Sequence, residues 1–341
     1  MKKLSVILLL IMVSIALNGQ KIIFLHHSTG SGVYNGGVGL PQWFLNYNSN
    51  NSTNYEISEA SYPDSPYPWA NYAYDYWNLW VNNQCNNSTA NIYCFDKFTT
   101  NYDLIIYKHC YPGADIQADL GTPNVASERK SIENYKLQYR ALRNLMDNYP
   151  NNKFIVWTLA PLHRNATNAE TAARAKQFVD WVKNDWLTED GNPHNNIFIF
   201  DFFGYAAESD ISPVNGLVNC LKYEYEGDHN GSDSHPNATA NSAIMPLFGQ
   251  FIVNVIINNT TNVNDLKESK MAFYPNPAKS FIKIDGSTNL KSLEIIDLSG
   301  KVVLKYSKPT GDIDLSSLSK GTYIIKTYTN SKFETQKLLI E

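Results

Sequence analysis

The 341-residue chain has four cysteines, Cys85, Cys94, Cys110 and Cys220, and neither a Cys-x-x-Cys pair nor a cysteine–histidine ladder. A structural zinc site is therefore disfavoured. Lys and Arg total 28 against 32 Asp and Glu, the formal net charge is −4, and no basic block occurs. The positive footprint that nucleic acid or an anionic membrane surface requires is missing, so nucleic acid is not expected as a partner. Beyond the N-terminal stretch, no segment approaches the roughly 18 consecutive apolar residues of a membrane helix. The mature chain is accordingly expected to be soluble, with no integral membrane segment. Charged residues make up only 18%, yet 43% are hydrophobic, which excludes a disordered or collagen-like chain and allows one or two cores.

Tyrosine is abundant at 22, tryptophan reaches 7, and asparagine crowds the same stretches. Rigid amphipathic rings beside amide donors suit a surface that grips sugars. The N-terminus reads as Lys2 and Lys3, an apolar run over 4–17 broken by Ser5 and Ser14, then Asn18, Gly19 and Gln20. This layout predicts a secretory signal peptide over 1–19, and no cysteine stands at the cut to carry a lipid. Export permits disulfides: Cys85 with Cys94 closes a short loop, and Cys110 with Cys220 ties distant segments. Three connectivities are open, as are unpaired buried thiols.

Residues 259–272 form a polar linker, after which short alternating strands and turn signals at Asp285-Gly286, Ser299-Gly300 and Lys320-Gly321 predict five to seven strands in a small antiparallel sandwich. Phe273-Tyr274-Pro275-Asn276-Pro277, Ile296-Asp297-Leu298-Ser299-Gly300-Lys301, the segment from Leu315 to Tyr323 and the closing Lys337-Leu338-Leu339 stand in order here. Residues 273–341 thus resemble the C-terminal sorting domain (type A) of the type IX secretion system of Bacteroidota. The resemblance implies the type IX machinery as a partner, passage through the periplasm and across the outer membrane, and release or attachment at the cell surface. An accessory ligand-binding sandwich is the bland alternative.

Residues 20–258 alternate apolar strands at 21–25, 104–107, 154–159 and 197–200 with amphipathic helices at 127–148, 169–186 and 238–257. Strand followed by helix, repeated, predicts an α/β domain: a parallel sheet in three layers, with ligands bound beyond the carboxyl ends of the strands. Just past the first strand lies His26-His27-Ser28-Thr29-Gly30-Ser31-Gly32, a polar turn that offers Ser28 as a nucleophile. Just before the last helix lies Gly227-Asp228-His229-Asn230-Gly231-Ser232-Asp233-Ser234-His235-Pro236. His235 is the candidate base and Asp233 its orienter, with Asp228 as the alternative carboxylate.

This constellation resembles the SGNH (GDSL-like) hydrolase family, in which the serine follows the first strand and an Asp and a His share one loop before the final helix. The resemblance implies a three-layer fold and a serine esterase with catalytic Ser28, His235 and Asp233 and no cofactor. The sequence departs from the family pattern in three places. His26-His27 replace the usual Gly-Asp, Asp-x-His replaces Asp-x-x-His, and Lys108-His109-Cys110-Tyr111-Pro112-Gly113 stands where Gly-x-Asn-Asp is usual. The oxyanion donors are then sought at the Ser28 N–H, the His109 ring and the backbone near Gly113.

Trp69 and Tyr67, in a proline-rich aromatic loop, and Arg164, at the end of the third strand, are the substrate-binding candidates. The expected substrate is an acetylated polysaccharide or another extracellular ester. Two readings stand beside it: a non-catalytic carbohydrate-binding or adhesion module on the same fold, and a metal-assisted hydrolase built on His26, His27, His229 and Asp228. The leading reading needs no metal.

Overall fold

The structure is a computed structural model that describes residues 19–65, 67, 71–87, 92–209, 213–257, 272–285, 290–297, 302–309, 311–328 and 333–341. The signal peptide predicted over 1–19 lies almost entirely outside the described residues, as do Trp69 and nearly all of the 259–272 linker. The chain divides into two compact units, 1–263 and 264–341.

The first unit is built on five parallel strands: β1 (Gln20–His26), β2 (Tyr55–Ser61), β3 (Leu104–Tyr107), β4 (Lys153–Trp157) and β5 (Ile197–Phe200). Their order is β2-β1-β3-β4-β5. Side chains alternate across a strand, so Ile22 and Phe24 enter one core layer while Ile23 and Leu25 enter the other. The central strands are buried on both faces and read as continuous apolar runs. The edge strand β2, Tyr-Glu-Ile-Ser-Glu-Ala-Ser, is half polar and carries no such run. For that reason sequence patterning passes over it.

One face of the sheet is covered by α1 (Thr29–Tyr34), α2 (Leu40–Asn51) and, from the end of the unit, the helix Ala238–Ile257. The other carries α3 (Ile132–Asp147) and α4 (Ala169–Asn184). Helix α3 begins five residues later than the periodicity predicts, because Ser131 is extended and bridges to Gln117.

The last helix, α5 (Ala238–Ile257), has a mean hydropathy of 1.6 and is, among the described residues, the one helix long and apolar enough to cross a membrane. Here Phe248 packs on Phe24, Trp157 and Phe200, with ring centroids 4.7 to 5.2 Å apart. It is the core helix of an α/β unit.

The second unit contains seven described strands, β6 (Ala272–Tyr274), β7 (Phe281–Asp285), β8 (Ser292–Ile296), β9 (Val302–Ser307), β10 (Asp312–Asp314), β11 (Gly321–Tyr328) and β12 (Phe333–Ile340). They form two antiparallel sheets, β10-β7-β6 and β12-β11-β8-β9. Phe273, Ile282, Leu293, Ile295, Ile313 and Ile325 fill its core.

Candidate active site

Strand order reverses between β1 and β3, and the crevice beyond their carboxyl ends is where ligands bind in open parallel sheets. The β1–β3 register pairs Ile22 with Leu104 and Leu25 with Tyr107. Carried past the strand ends, the same offset of 82 residues sets Ser28 beside Cys110, and their side chains meet, Oγ to Sγ 2.8 Å.

Ser28 turns the chain from β1 into α1 with φ 30° and ψ −86°, a left-handed conformation that is costly for a residue with a Cβ. It stands exposed at the tip of the turn. It occupies the N-cap position, yet its hydroxyl makes no capping hydrogen bond. The turn needs Gly30, since a Cβ there would lie 2.4 Å from His26 Cβ and 3.1 Å from Lys108 Cε.

Asp233 and His235 are brought together. His235 Nδ1 lies 2.5 Å from Asp233 Oδ1, which also accepts the His235 backbone N–H at 3.1 Å. Burial pushes the Asp233 carboxyl up, but the hydrogen bonds from His235 outweigh it and hold it below the usual carboxylate range. With Nδ1 so engaged, Nε2 is the ring nitrogen left to exchange protons. The ring stands edge-on to Tyr111, centroids 4.9 Å apart. Tyr111 directly follows Cys110, and both Cys110 and Asp233 act electrostatically on its hydroxyl. The Ser28–Cys110 pair and the Asp233–His235 pair therefore flank one tyrosine. The Ser28 hydroxyl is hydrogen-bonded to sulfur and not to His235. Asp228, the alternative carboxylate, closes its own turn by accepting the Asn230 N–H at 3.0 Å.

The loop carrying Asp233 and His235 is held by a buried carboxylate that sequence reasoning missed. Glu226, with its side chain fully buried, meets Arg164 Nη1 at 3.1 Å, His163 Nε2 at 3.3 Å and His229 Nδ1 at 2.9 Å. The Ser234 hydroxyl accepts the His163 backbone N–H at 2.8 Å, and Arg164 also donates to the His229 carbonyl at 2.7 Å. Arg164, expected to touch substrate, is spent on this brace and lies over the Tyr223 ring at 4.5 Å. Tyr67 is half-buried and accepts a hydrogen bond from Asn78 at 2.9 Å.

The two oxyanion candidates beyond Ser28 are committed elsewhere. The His109 ring is buried among Tyr76, Tyr107 and Tyr139, and the Gly113 N–H donates to the Cys110 carbonyl at 2.9 Å. Asn71, fully buried with φ 54°, pins the same loop by accepting the Cys110 N–H at 2.8 Å. Nothing in its asparagine-rich surroundings distinguishes it in the sequence.

Of the four cysteines, Cys85 and Cys94 form a disulfide, whereas Cys110 and Cys220 are buried thiols. Among the described residues, no three His, Cys, Asp or Glu side chains converge as a metal-binding group. His26 binds Glu59 (2.8 Å), His27 binds the Pro63 carbonyl (2.6 Å), and His229 binds Glu226.

Burial, then the Lys108 charge, lowers His26 and His109 each to about 3. Cys110 is pushed up by burial but drawn down further by Lys108, Ser28 and Thr29, to about 7. Burial lowers Lys108 itself, while the Cys110 sulfur raises it.

Residues 272–341 match the family model of the secretion system C-terminal sorting domain. The chain is exported across the outer membrane, to be released or held at the cell surface. No curated protein matches it. Among solved structures, PorZ, a surface component of the type IX secretion system of Porphyromonas gingivalis, is similar at 18% identity over 21% of this chain and 11% of that one, TM-score 0.19. A carbohydrate esterase whose active site displays divergent catalytic and non-catalytic binding functions is similar at 12% identity over 69% of this chain and 68% of that one, TM-score 0.34.

Proposed function

We propose that the first unit is a serine esterase that removes ester groups, acetyl above all, from an extracellular polysaccharide. The observation that carries this reading is the placement of an exposed, left-handed Ser28 at the strand-order reversal, with the hydrogen-bonded Asp233–His235 pair across Tyr111. Ser28 Oγ attacks the acyl carbon, and its backbone N–H meets the oxyanion. His235, oriented by Asp233, exchanges protons with the leaving alcohol and then with the water that frees the acyl group. The polysaccharide assignment rests on export and on the aromatic loops of the sequence.

Acetate release from acetylated xylan and from a chromogenic acetyl ester is the test. Wild type should turn over both, and Ser28→Ala and His235→Ala should each lose at least about a thousandfold in kcat/KM. A wild type inactive on every ester tried would overturn the reading. The Ser28 hydroxyl's bond to Cys110 instead of His235 favours a second reading, a carbohydrate-binding module without turnover. Polysaccharide binding by an inactive wild type, unchanged in Ser28→Ala, would establish that one instead.

A further inference from the structure

Beneath Ser28 lies a pair of groups that the esterase scheme leaves unused. Lys108 is fully buried, its stem passes Gly30 at the turn, and its ammonium acts on the Cys110 sulfur. Cys110 is 3% exposed, with its sulfur 2.8 Å from the Ser28 hydroxyl and 3.7 Å from the Thr29 hydroxyl. We propose that Cys110 takes the proton of the Ser28 hydroxyl as that oxygen attacks, with Lys108 as the buried counter-charge that keeps the sulfur ionised. This rests on the esterase reading and specifies its first proton transfer.

Three observations carry it. A general base must lie within hydrogen-bond reach of the proton it removes, and the sulfur is the group so placed in this structure. Burial drives the Lys108 ammonium toward its neutral form and Cys110 is the group that opposes this, while Lys108 in turn draws the thiol down, so each favours the charged form of the other. The sulfur is covered while Ser28 is exposed, so the thiolate serves the hydroxyl and is not itself the nucleophile.

The protons balance. As the Oγ–carbon bond forms, the hydroxyl proton passes to Sγ, and protonated His235 gives its proton to the alcohol as the ester carbon–oxygen bond breaks. In the second half, neutral His235 takes a proton from the attacking water, and the Cys110 thiol returns its proton to Oγ as the acyl–enzyme bond breaks.

The ionisable groups around this pair are His26 and His27 from the end of β1, with Glu59 of β2 behind His26. Lys108, His109 and Tyr111 follow β3, and Asp233 and His235 lie on the loop before α5. His26 and His109 stay neutral through the working range, and His27 is lowered by burial first. Cys110 is then the group of this set expected to shape activity near neutrality.

The test reads the sulfur directly. Cys85 and Cys94 are bonded, and burial pushes Cys220 up to about 11, so thiolate absorbance of the full chain titrating near pH 7 reports Cys110. Lys108→Met should move that midpoint above the ordinary thiol value of 9.0, and Ser28→Ala, a surface change that spares the fold, should raise it by less. In kinetics, Cys110→Ser should cut kcat/KM about 100-fold and abolish the limb that rises with pH through 7.

A wild-type thiol that stays protonated to pH 9, or a Cys110→Ser variant that keeps both the rate and the rising limb, would overturn the proposal. The second result, with an active wild type, leaves the esterase standing. An inactive wild type whose thiolate still titrates near 7 and responds to both variants would overturn the esterase reading while supporting the Lys108–Cys110–Ser28 arrangement.

Discussion

At the scale of single residues, the candidate site rests on a few close approaches that admit little substitution. Gly30 is required by distance: its α-hydrogen faces His26 Cβ where a methyl would sit at 2.4 Å. Gly30→Ala should therefore destabilise the first unit by about 1–3 kcal/mol, read as a lower urea midpoint, and displace His26 and Ser28 together. Asp233 Oδ1 holds the His235 ring at Nδ1, and in the proposed scheme that contact fixes the imidazole tautomer. Asp233→Asn should leave thermal unfolding unchanged, because the side chain is largely exposed, and lower kcat/KM by about 10²–10⁴ on an acetyl ester. Serine, histidine and aspartate were legible as candidates because each stands in a short polar motif beside an apolar run. Cys110 and Lys108 were not, since they come level with Ser28 only when β3, which they follow, pairs with β1.

At the scale of elements, parallel strands carry their side chains to one edge, and the loops beyond that edge must be braced. The loop before α5 is long, yet Ser234, Asn165 and Arg164 tie it to the end of β4, and Glu226 collects Arg164, His163 and His229 at its root. Removing that carboxylate leaves a nearly buried guanidinium without its partner. Glu226→Ala should cost about 3–5 kcal/mol in denaturant unfolding. At temperatures where the variant stays folded, it should also lower kcat on the ester by freeing the His235 loop. Full activity in a destabilised Glu226→Ala would show that the brace serves stability alone. The helices α4 and α5 and the four apolar strands were readable from periodicity. Edge strand β2 and the late start of α3 were not, because pairing with β1 and with Gln117 decides them.

At the scale of the whole molecule, stability should depend on acid in a definite direction. All seven histidines belong to the first unit, and His26 and His109 are held neutral down to about 3 by burial and by Lys108. Between 6.5 and about 3 the unfolded chain binds protons that the folded one refuses. Their contribution is complete above pH 6.5 and shrinks as the pH falls, by about 1.4 kcal/mol per unit for each histidine. The urea midpoint of the first unit should fall across that window, and His109→Phe, which fits among Tyr76, Tyr107 and Tyr139, should flatten the slope. An unaltered slope in that variant would show that carboxylates govern acid unfolding here.

The sequence by itself determined the α/β class, the antiparallel second unit and its sorting motifs, and it singled out Ser28, Asp233 and His235 as candidates. Each of these is written in local pattern: a period of 2 or 3.6, a turn dipeptide, or a polar cluster after an apolar run. Tertiary structure alone decided what lies beneath Ser28. Two residues 82 apart become neighbours only when β1 and β3 pair in register, and a lysine side chain loses its water only when the helices close over the sheet. Contact across strands and loss of water are properties of the assembled fold, and they bring Lys108 and Cys110, unremarkable in the sequence, to lie buried beneath Ser28.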